Sequence, residues 1–260
     1  MALFPLSDDN PLRSVTFQYV TVTLIGLNVA VFLWEVSLGP GLERAIYAYG
    51  AIPAVVFGEA RLPPGLAAVP PWATLLTSMF LHGGWMHLIG NMLFLWIFGD
   101  NVEDSMGHVR FLVFYLLCGV LAALLHAVSE PGSEIPMVGA SGAISGVLGA
   151  YLMLHPRARL LVLAMNVFPI RLPAFVVLGA WFLLQFAGLG GPSDVAFLAH
   201  IGGFIAGAVL IIPFRRRGLP LFDGIGGTQP VEPERIAHTE RRHARSIFPN
   251  TVARRGPWDR

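Results

Sequence analysis

The sequence predicts an all-α membrane protein, a bundle of six transmembrane helices with a long first loop lying in the membrane interface. Two observations support this fold class. Of the 260 residues, 55% are hydrophobic and only 13% are charged, whereas about a quarter of an ordinary soluble domain is charged. Six apolar segments also approach the roughly 20 residues that cross a bilayer as a helix. Lipid-exposed irregular backbone is not tolerated at that depth, so each segment is expected to be helical.

The apolar segments divide the chain into three parts. Their expected positions are residues 17–38, 84–98, 109–128, 137–154, 172–190 and 194–214. Residues 17–214 would form the six-helix domain, preceded by a cytoplasmic segment at 1–16 and followed by a cytoplasmic tail at 215–260. The tail is rich in arginine, proline and glycine without apolar periodicity, so it is expected to be disordered. The N-terminus lacks the basic region of a secretory signal peptide, so the first apolar segment is expected to be retained.

Each connection and span has its own expectation. The second and fourth spans are short, which is tolerated where other helices surround them. The first connection, 39–83, is too apolar for a solvated linker, so we expect an interfacial and partly re-entrant loop. Its Trp72, and Trp85 just after it, suit anchoring among lipid headgroups. The other connections are expected to be short, with the acidic stretch 100–104 forming an inner loop.

The arginines predict the orientation. All 17 basic residues are arginine, and 10 of them lie from Arg215 onward. With the N-terminus inside, the inner segments hold 15 arginines and the outer loops hold only Arg44 and Arg61. By the positive-inside rule, both termini are expected in the cytoplasm. The absence of lysine, with much alanine, glycine and arginine, favours a bacterial inner membrane.

Polar side chains stand at the start of three of the spans. Ser141 lies four residues into the fourth expected span, His200 about six residues into the sixth, and His87 and Asn91 near the start of the second. These three spans begin on the same, outer face, which places Ser141 and His200 roughly 6–9 Å below their helix starts. Polar groups inside a membrane are costly and usually functional. Together they could supply a nucleophile, a base and oxyanion donors.

Small residues would let the fourth and sixth spans approach closely. Gly142 and Gly146 are four residues apart, as are Gly203 and Gly207. Such small-xxx-small faces allow two helix backbones to come into contact. This favours contact beside Ser141 and His200.

Plainer interpretations remain open for each polar residue. Ser141 alone could be a serine that hydrogen-bonds between helices, and His200 a satisfied buried histidine. His82 and His87 are five residues apart, off the spacing that places two metal ligands on one helix face. The zinc-protease pattern H-E-x-x-H is absent from the sequence. No metal and no cofactor are expected.

The motifs resemble those of the rhomboid intramembrane serine proteases. "GASG" (139–142), "AHIGGFIAG" (199–207) and "HLIGN" (87–91) stand on the fourth, sixth and second spans, in the order of that family. The resemblance covers roughly residues 15–214. Each motif is short, but their order on these spans makes the combination specific.

The resemblance implies a role for each matched residue. Ser141 would be the nucleophile and His200 the general base, without a third acidic member. His87, Asn91 and the Ser141 backbone N–H would form the oxyanion hole. Gly139 would leave room for substrate. Gly142 and Gly203 would support the site by close helix packing, and His82 would assist the access of water.

The chain departs from some relatives in three places. Ser145 stands where some members carry a tyrosine that stacks on the catalytic histidine, so stacking would come from elsewhere or be absent. Ala73 follows Trp72 where many members have arginine, which puts loop anchoring in doubt. Glu103 matches an acidic residue that braces an inner loop in relatives. On the fifth span, Trp181, Phe182 and Phe186, with Phe197 before His200, resemble a substrate gate, or are plain lipid-facing aromatics.

The expected function is intramembrane cleavage of membrane proteins. The expected partners are single-span or other transmembrane substrates and membrane lipids, and no nucleic acid. Two rivals are an inactive relative that binds transmembrane clients and a small transporter. The presence of both Ser141 and His200 argues against the first. The lack of inverted repeats and of a midplane polar cluster argues against the second.

Overall fold

A computed structural model describes residues 3–165, 167–189 and 195–222. Most of the tail, 223–260, therefore lies outside the described residues, and the expectation of disorder there stays a prediction. In chain order the strands and helices are β1 (Leu3–Asp8), α1 (Tyr19–Ser37), α2 (Leu42–Tyr49), α3 (Pro53–Val56), α4 (Thr74–Thr77), α5 (Trp85–Met106), α6 (His108–Ser129), α7 (Ser141–Leu154), β2 (Arg159–Ala164), β3 (Phe168–Pro173), α8 (Ala174–Ala187) and α9 (Phe197–Phe214).

A helix lies in each of the six apolar segments. Three of the described helices, α1, α6 and α9, are long and apolar enough to cross a membrane by length and composition. Helices α7 and α8 are apolar but have only 14 residues each. Helix α5 has 22 residues and carries acidic residues near its C-terminal end. The count of six spans stays a prediction.

The chain is mostly helical, as predicted, but it also forms a three-stranded antiparallel sheet in the order β1-β2-β3, which the all-α prediction lacked. Strands β2 and β3 form a hairpin that pairs Arg159 with Pro173 and Ala164 with Phe168. Strand β1 pairs with β2 from Leu3 opposite Ala164. The connection between α7 and α8 is thus a hairpin completed by the N-terminal segment. The pairing joins residues far apart in sequence, which local pattern does not predict.

Helix α5 is longer than the second predicted span, residues 84–98. Helix α5 continues to Met106, so the stretch 100–104 is helical and is not an inner loop. Its acidic side chains hold the beginning of the chain: Glu103 accepts hydrogen bonds from the backbone N–H groups of Val20 (3.0 Å) and Thr21 (2.8 Å). These are donors in the first turn of α1 that no helical carbonyl can satisfy. Glu103 therefore braces the start of α1.

The long first connection contains the three short helices α2, α3 and α4. Trp72, just before α4, is 73% exposed, and Trp85 at the start of α5 is 56% exposed. The far end of this connection reaches the site region, because the carbonyl of Ser78 accepts a hydrogen bond from the N–H of Gly139 (2.9 Å). Its depth relative to a membrane stays a prediction.

Candidate active site

Ser141 and His200 lie in direct contact. The His200 Nε2 atom is 2.9 Å from the Ser141 Oγ atom. Ser141 is the first residue of α7 and His200 the fourth residue of α9. The predicted position of Ser141 four residues inside its helix is therefore wrong, although the two side chains do meet.

The backbone before Ser141 explains the shorter helix. Gly139 has φ +124°, a conformation that side-chain-bearing residues rarely adopt, and its N–H donates to the loop carbonyl of Ser78. A Cβ atom on Gly139 would also lie 2.7 Å from the His87 Nε2 atom. Only glycine meets both requirements without strain. The backbone at Gly139, two residues before Ser141, therefore faces His87.

Glycines bring α7 and α9 together. A Cβ atom on Gly203 would overlap the carbonyl oxygen of Gly142, and one on Gly207 would overlap the carbonyl of Gly146. On the other side, a Cβ atom on Gly142 would lie 2.7 Å from the Ala122 Cβ atom of α6. The close packing therefore leaves no space for a methyl group at these positions. It brings the first turns of α7 and α9 within side-chain reach.

The imidazole of His200 packs against one aromatic ring of α8 and one of α9. The Trp181 ring lies 5.8 Å from it, between centroids, at an interplanar angle of 34°. Phe197 meets it edge-on at 6.4 Å. The sequence left open which side chain, if any, packs on the His200 ring in place of a tyrosine at position 145. In the structure, Trp181 packs there at a tilt. Ser145 instead donates its hydroxyl to the Ser141 carbonyl (2.6 Å).

Gln185 is a residue that the sequence analysis missed. Its Oε1 atom lies 2.9 Å from the His200 Nδ1 atom, and its side chain is buried at 4% exposure. The signal was available, because Gln185 is the one amide in an otherwise apolar α8 and polar groups in such helices are rarely idle.

The aromatic residues of α8 divide between two environments. Phe182 stacks on Phe204 of α9 at 4.4 Å between centroids. Phe186 is 47% exposed. Trp181 and Phe182 therefore pack inward, and Phe186 faces outward. This arrangement is compatible with either a gate or a lipid-facing surface.

His87 and Asn91 stand one helical turn apart on α5. The Cβ position of Gly139 lies 2.7 Å from His87 Nε2 and 3.8 Å from Asn91 Nδ2. Both side chains thus face the backbone that leads into Ser141. The Asn91 Nδ2 atom is buried and has no hydrogen-bond partner within the described ranges. Buried donors are rarely left unpaired, so this amide is available to a ligand.

His82 lies next to His87, and among the described residues it makes no hydrogen bond or ring contact with Ser141 or His200. Its ring meets that of His87 at 5.2 Å between centroids, and its backbone N–H donates to the Glu35 carboxylate (3.1 Å). Burial lowers the pKa of His82 to about 4, and the neighbouring His87 contributes further. His82 is therefore neutral near pH 7 and cannot act there as a cation. Within the described residues, no cluster of three or more His, Cys, Asp or Glu side chains could hold a metal ion.

Comparison with known proteins identifies the family. Residues 70–217 match the Rhomboid domain. The chain is 33% identical over 201 residues to Rhomboid protease GluP of Bacillus subtilis, covering 76% of this chain and 35% of that protein. It is 34% identical over 140 residues to Putative rhomboid protease YdcA of the same organism, covering 54% and 65%.

A plant relative extends the range of the similarity. RHOMBOID-like protein 5 of Arabidopsis thaliana is 32% identical over 136 residues, covering 52% of this chain and 42% of that protein. The chain thus spans between about a third and two thirds of the length of these relatives. The family predicted from the motifs is confirmed, and with its apolar helices the chain is an integral membrane protein. The matched domain includes Ser141 and His200 and extends over more than half of the chain, which therefore belongs to the rhomboid family.

Proposed function

We propose that this protein is an intramembrane serine endopeptidase that uses a Ser141–His200 dyad. The single observation that carries the proposal is the 2.9 Å contact between the His200 Nε2 and Ser141 Oγ atoms. A nucleophile with a base in hydrogen-bond reach is the arrangement that activates a serine hydroxyl. The names of the bacterial relatives, which are rhomboid proteases, agree with this reaction.

His200 would act first as a general base and then as a general acid. Its Nε2 atom accepts the Ser141 hydroxyl proton while Oγ attacks the scissile carbonyl carbon, and it then gives that proton to the leaving amine. Water attacks the resulting acyl-enzyme by the same route, and Ser141 is released. No acidic side chain takes part in this scheme.

The oxyanion would be held by the Ser141 backbone N–H and the side chains of His87 and Asn91. The unpartnered Asn91 amide and the His87 Nε2 atom both face Gly139, two residues before the nucleophile. A donor that gains its partner as negative charge develops stabilises the transition state more than the ground state. Gly139 leaves the space in which substrate backbone would lie.

The proposed substrates are single-span or other transmembrane proteins that reach the site from the surrounding lipid. A substrate helix must unwind to expose its scissile carbonyl, so segments with helix-breaking and small residues near the cut are favoured. We further propose six spans, from the six apolar segments, and both termini in the cytoplasm, from the arginine distribution. The lysine-free composition favours a bacterial inner membrane.

A cleavage assay with variants of both dyad residues, and with a neighbouring serine as the control, tests the proposal. Purified protein would be incubated with a single-span model substrate, together with the variants Ser141→Ala, His200→Ala and Ser145→Ala. We expect the first two to lose about 10⁴-fold or more in turnover. We expect Ser145→Ala to stay active, because its hydroxyl bonds only to the Ser141 carbonyl in the described structure.

Labelling with a fluorophosphonate provides a second measurement. The probe is expected to modify Ser141 and not Ser145, and His200→Ala is expected to abolish labelling. Cleavage that survives in Ser141→Ala would refute the nucleophile assignment. A protein that binds several substrates but cleaves none would favour the inactive client-binding relative instead.

A further inference from the structure

Gln185 makes two hydrogen bonds in opposite directions. Its Nε2 group donates to the backbone carbonyl of Trp181, one turn earlier on α8, at 2.8 Å. Its Oε1 atom lies 2.9 Å from the His200 Nδ1 atom on α9. The side chain is nine-tenths buried or more, at 4% exposure. The amide therefore links the helix backbone to the base.

The carbonyl of Trp181 decides which way the amide points. A backbone carbonyl can only accept, so the amide nitrogen must face it and the amide oxygen must face His200. The amide oxygen in turn can only accept, so a hydrogen bond at this contact requires a proton on His200 Nδ1. In a neutral imidazole that leaves the lone pair on Nε2. Nε2 is the atom next to the Ser141 hydroxyl.

A neutral amide suits this environment. A carboxylate in the same place would have to be desolvated among apolar side chains, at a cost that an amide with both ends bonded avoids. The preceding turn of α8 also supplies the Trp181 ring against the imidazole. One short segment of α8 thus holds both the edge and the face of His200.

We propose that Gln185 is a positioning residue that fixes the tautomer and orientation of His200 for its role as a base. The inference rests on the proposed dyad, and it assigns to an amide the function that a carboxylate performs in serine proteases with a third member. Gln185 touches neither the nucleophile nor the reacting atoms and acts only through His200.

The test compares two replacements of similar length. Gln185→Met keeps the volume but removes the acceptor. Gln185→Glu, which these apolar surroundings favour in its protonated form, keeps an acceptor oxygen for His200 and an O–H donor for the Trp181 carbonyl. We expect Gln185→Met to lower kcat by about 10–100-fold, as for other residues that orient a histidine. KM should stay unchanged, and the rate of fluorophosphonate labelling at Ser141 should fall in parallel. Gln185→Glu should recover most of the labelling rate. Leu184→Met, at a position 52% exposed on the same helix, is the matched control and should behave as wild type.

The outcomes separate this inference from the proposed function. An active Ser141→Ala variant would refute the dyad itself. If Ser141→Ala is inactive, the positioning role is overturned by wild-type kcat in Gln185→Met, by a loss confined to KM, or by a Gln185→Glu variant no better than Gln185→Met. Thermal unfolding of each variant checks the fold. If Gln185→Met does not fold, Gln185→Asn is the alternative, because its side chain is one methylene shorter and its oxygen no longer reaches His200. We expect this variant to have a lower kcat and an unchanged KM. A wild-type kcat in Gln185→Asn would equally overturn the positioning role.

Discussion

Two polar clusters lie toward opposite ends of α5, and they differ in how fully their hydrogen bonds are satisfied. The serine cluster comprises Ser141, His200, His87 and Asn91. The acidic cluster comprises Glu103, Asp104, Asp8, Asn101 and Tyr151. His87 and Glu103 are sixteen residues apart in the sequence, which corresponds to about 24 Å along a helix. Both clusters place polar side chains among apolar helices, where sequence reasoning treats every such residue as a functional candidate.

The carboxylates of the acidic cluster are well supplied with donors. Besides its two backbone donors, Glu103 accepts from the Thr21 hydroxyl (2.7 Å) and contacts His108 Nδ1 (2.6 Å). Asp104 accepts from the backbone N–H groups of residues 13–15. Asp8 accepts from the Tyr151 hydroxyl (2.7 Å); burial raises the pKa of Asp8, and this hydrogen bond opposes the rise. These side chains hold the N-terminal segment in place.

The serine cluster contains a side-chain donor that is not hydrogen-bonded within the described residues. Among the described residues, the Asn91 amide nitrogen has no hydrogen-bond partner. The His87 ring accepts a long hydrogen bond from the Gly83 N–H at 3.4 Å. The comparison teaches that burial of a polar residue does not by itself indicate chemistry. An unused donor beside the proposed nucleophile Ser141 is the stronger indication, because a ligand can supply the missing partner.

Replacing one asparagine at each end of α5 should separate the clusters most clearly. Asn91→Ala is expected to lower turnover by about 10²–10³-fold, as for loss of one oxyanion donor, and to change the free energy of unfolding little. Asn101→Ala removes bonds to Asp8 and Asp100; it should cost about 1–3 kcal/mol of stability and leave the turnover of folded protein unchanged. Steady-state kinetics and chemical unfolding measure the two effects. Equal turnover losses in both variants would contradict the division between the clusters.

Gly203→Ala should affect the serine cluster and spare the acidic one. The added methyl group meets the Gly142 carbonyl, so α7 and α9 must separate and Ser141 must move from His200. Misplacement of this kind costs about 10²-fold in rate. Gly179→Ala on α8 is the matched control, because a Cβ there has no neighbour within 4 Å. Hydrogen exchange of residues 13–21 should be the same in both variants, and wild-type turnover in Gly203→Ala would refute the close-packing argument.

The smallest effect on turnover is expected from Glu103→Gln. The neutral amide keeps the shape but loses the charge that the first turn of α1 favours. Its NH2 group also cannot accept one of the two backbone hydrogen bonds that the carboxylate accepts. We expect a loss of about 1.5–3 kcal/mol in the free energy of unfolding with unchanged turnover per folded molecule. Glu43→Gln, at an exposed position of α2, controls for the loss of a charge. A fall in turnover without loss of stability would show that the acidic cluster takes part in the reaction.

Much of the helical framework could be predicted from apolar segments alone. The ends of α1 and α6 fall within two residues of the predicted spans, because uninterrupted apolar runs have few alternatives in lipid. The prediction was wrong at α5 and α7, where polar and glycine residues decide the boundary. The acidic end of α5 stays helical because distant backbone donors satisfy it. Helix α7 starts late because Gly139 turns toward His87.

The sequence by itself determined the family, the candidate residues Ser141 and His200, and the glycine faces, because residue type and helical spacing are local properties. Tertiary structure alone decided the sheet, the support of α1 by Glu103, and the contacts of Trp181 and Gln185 with His200. Each of these contacts joins segments that are far apart in the chain, or that are separated by a connection whose geometry the sequence does not give. Such pairings depend on where a donor finds an acceptor after the helices have packed, and no local pattern specifies that.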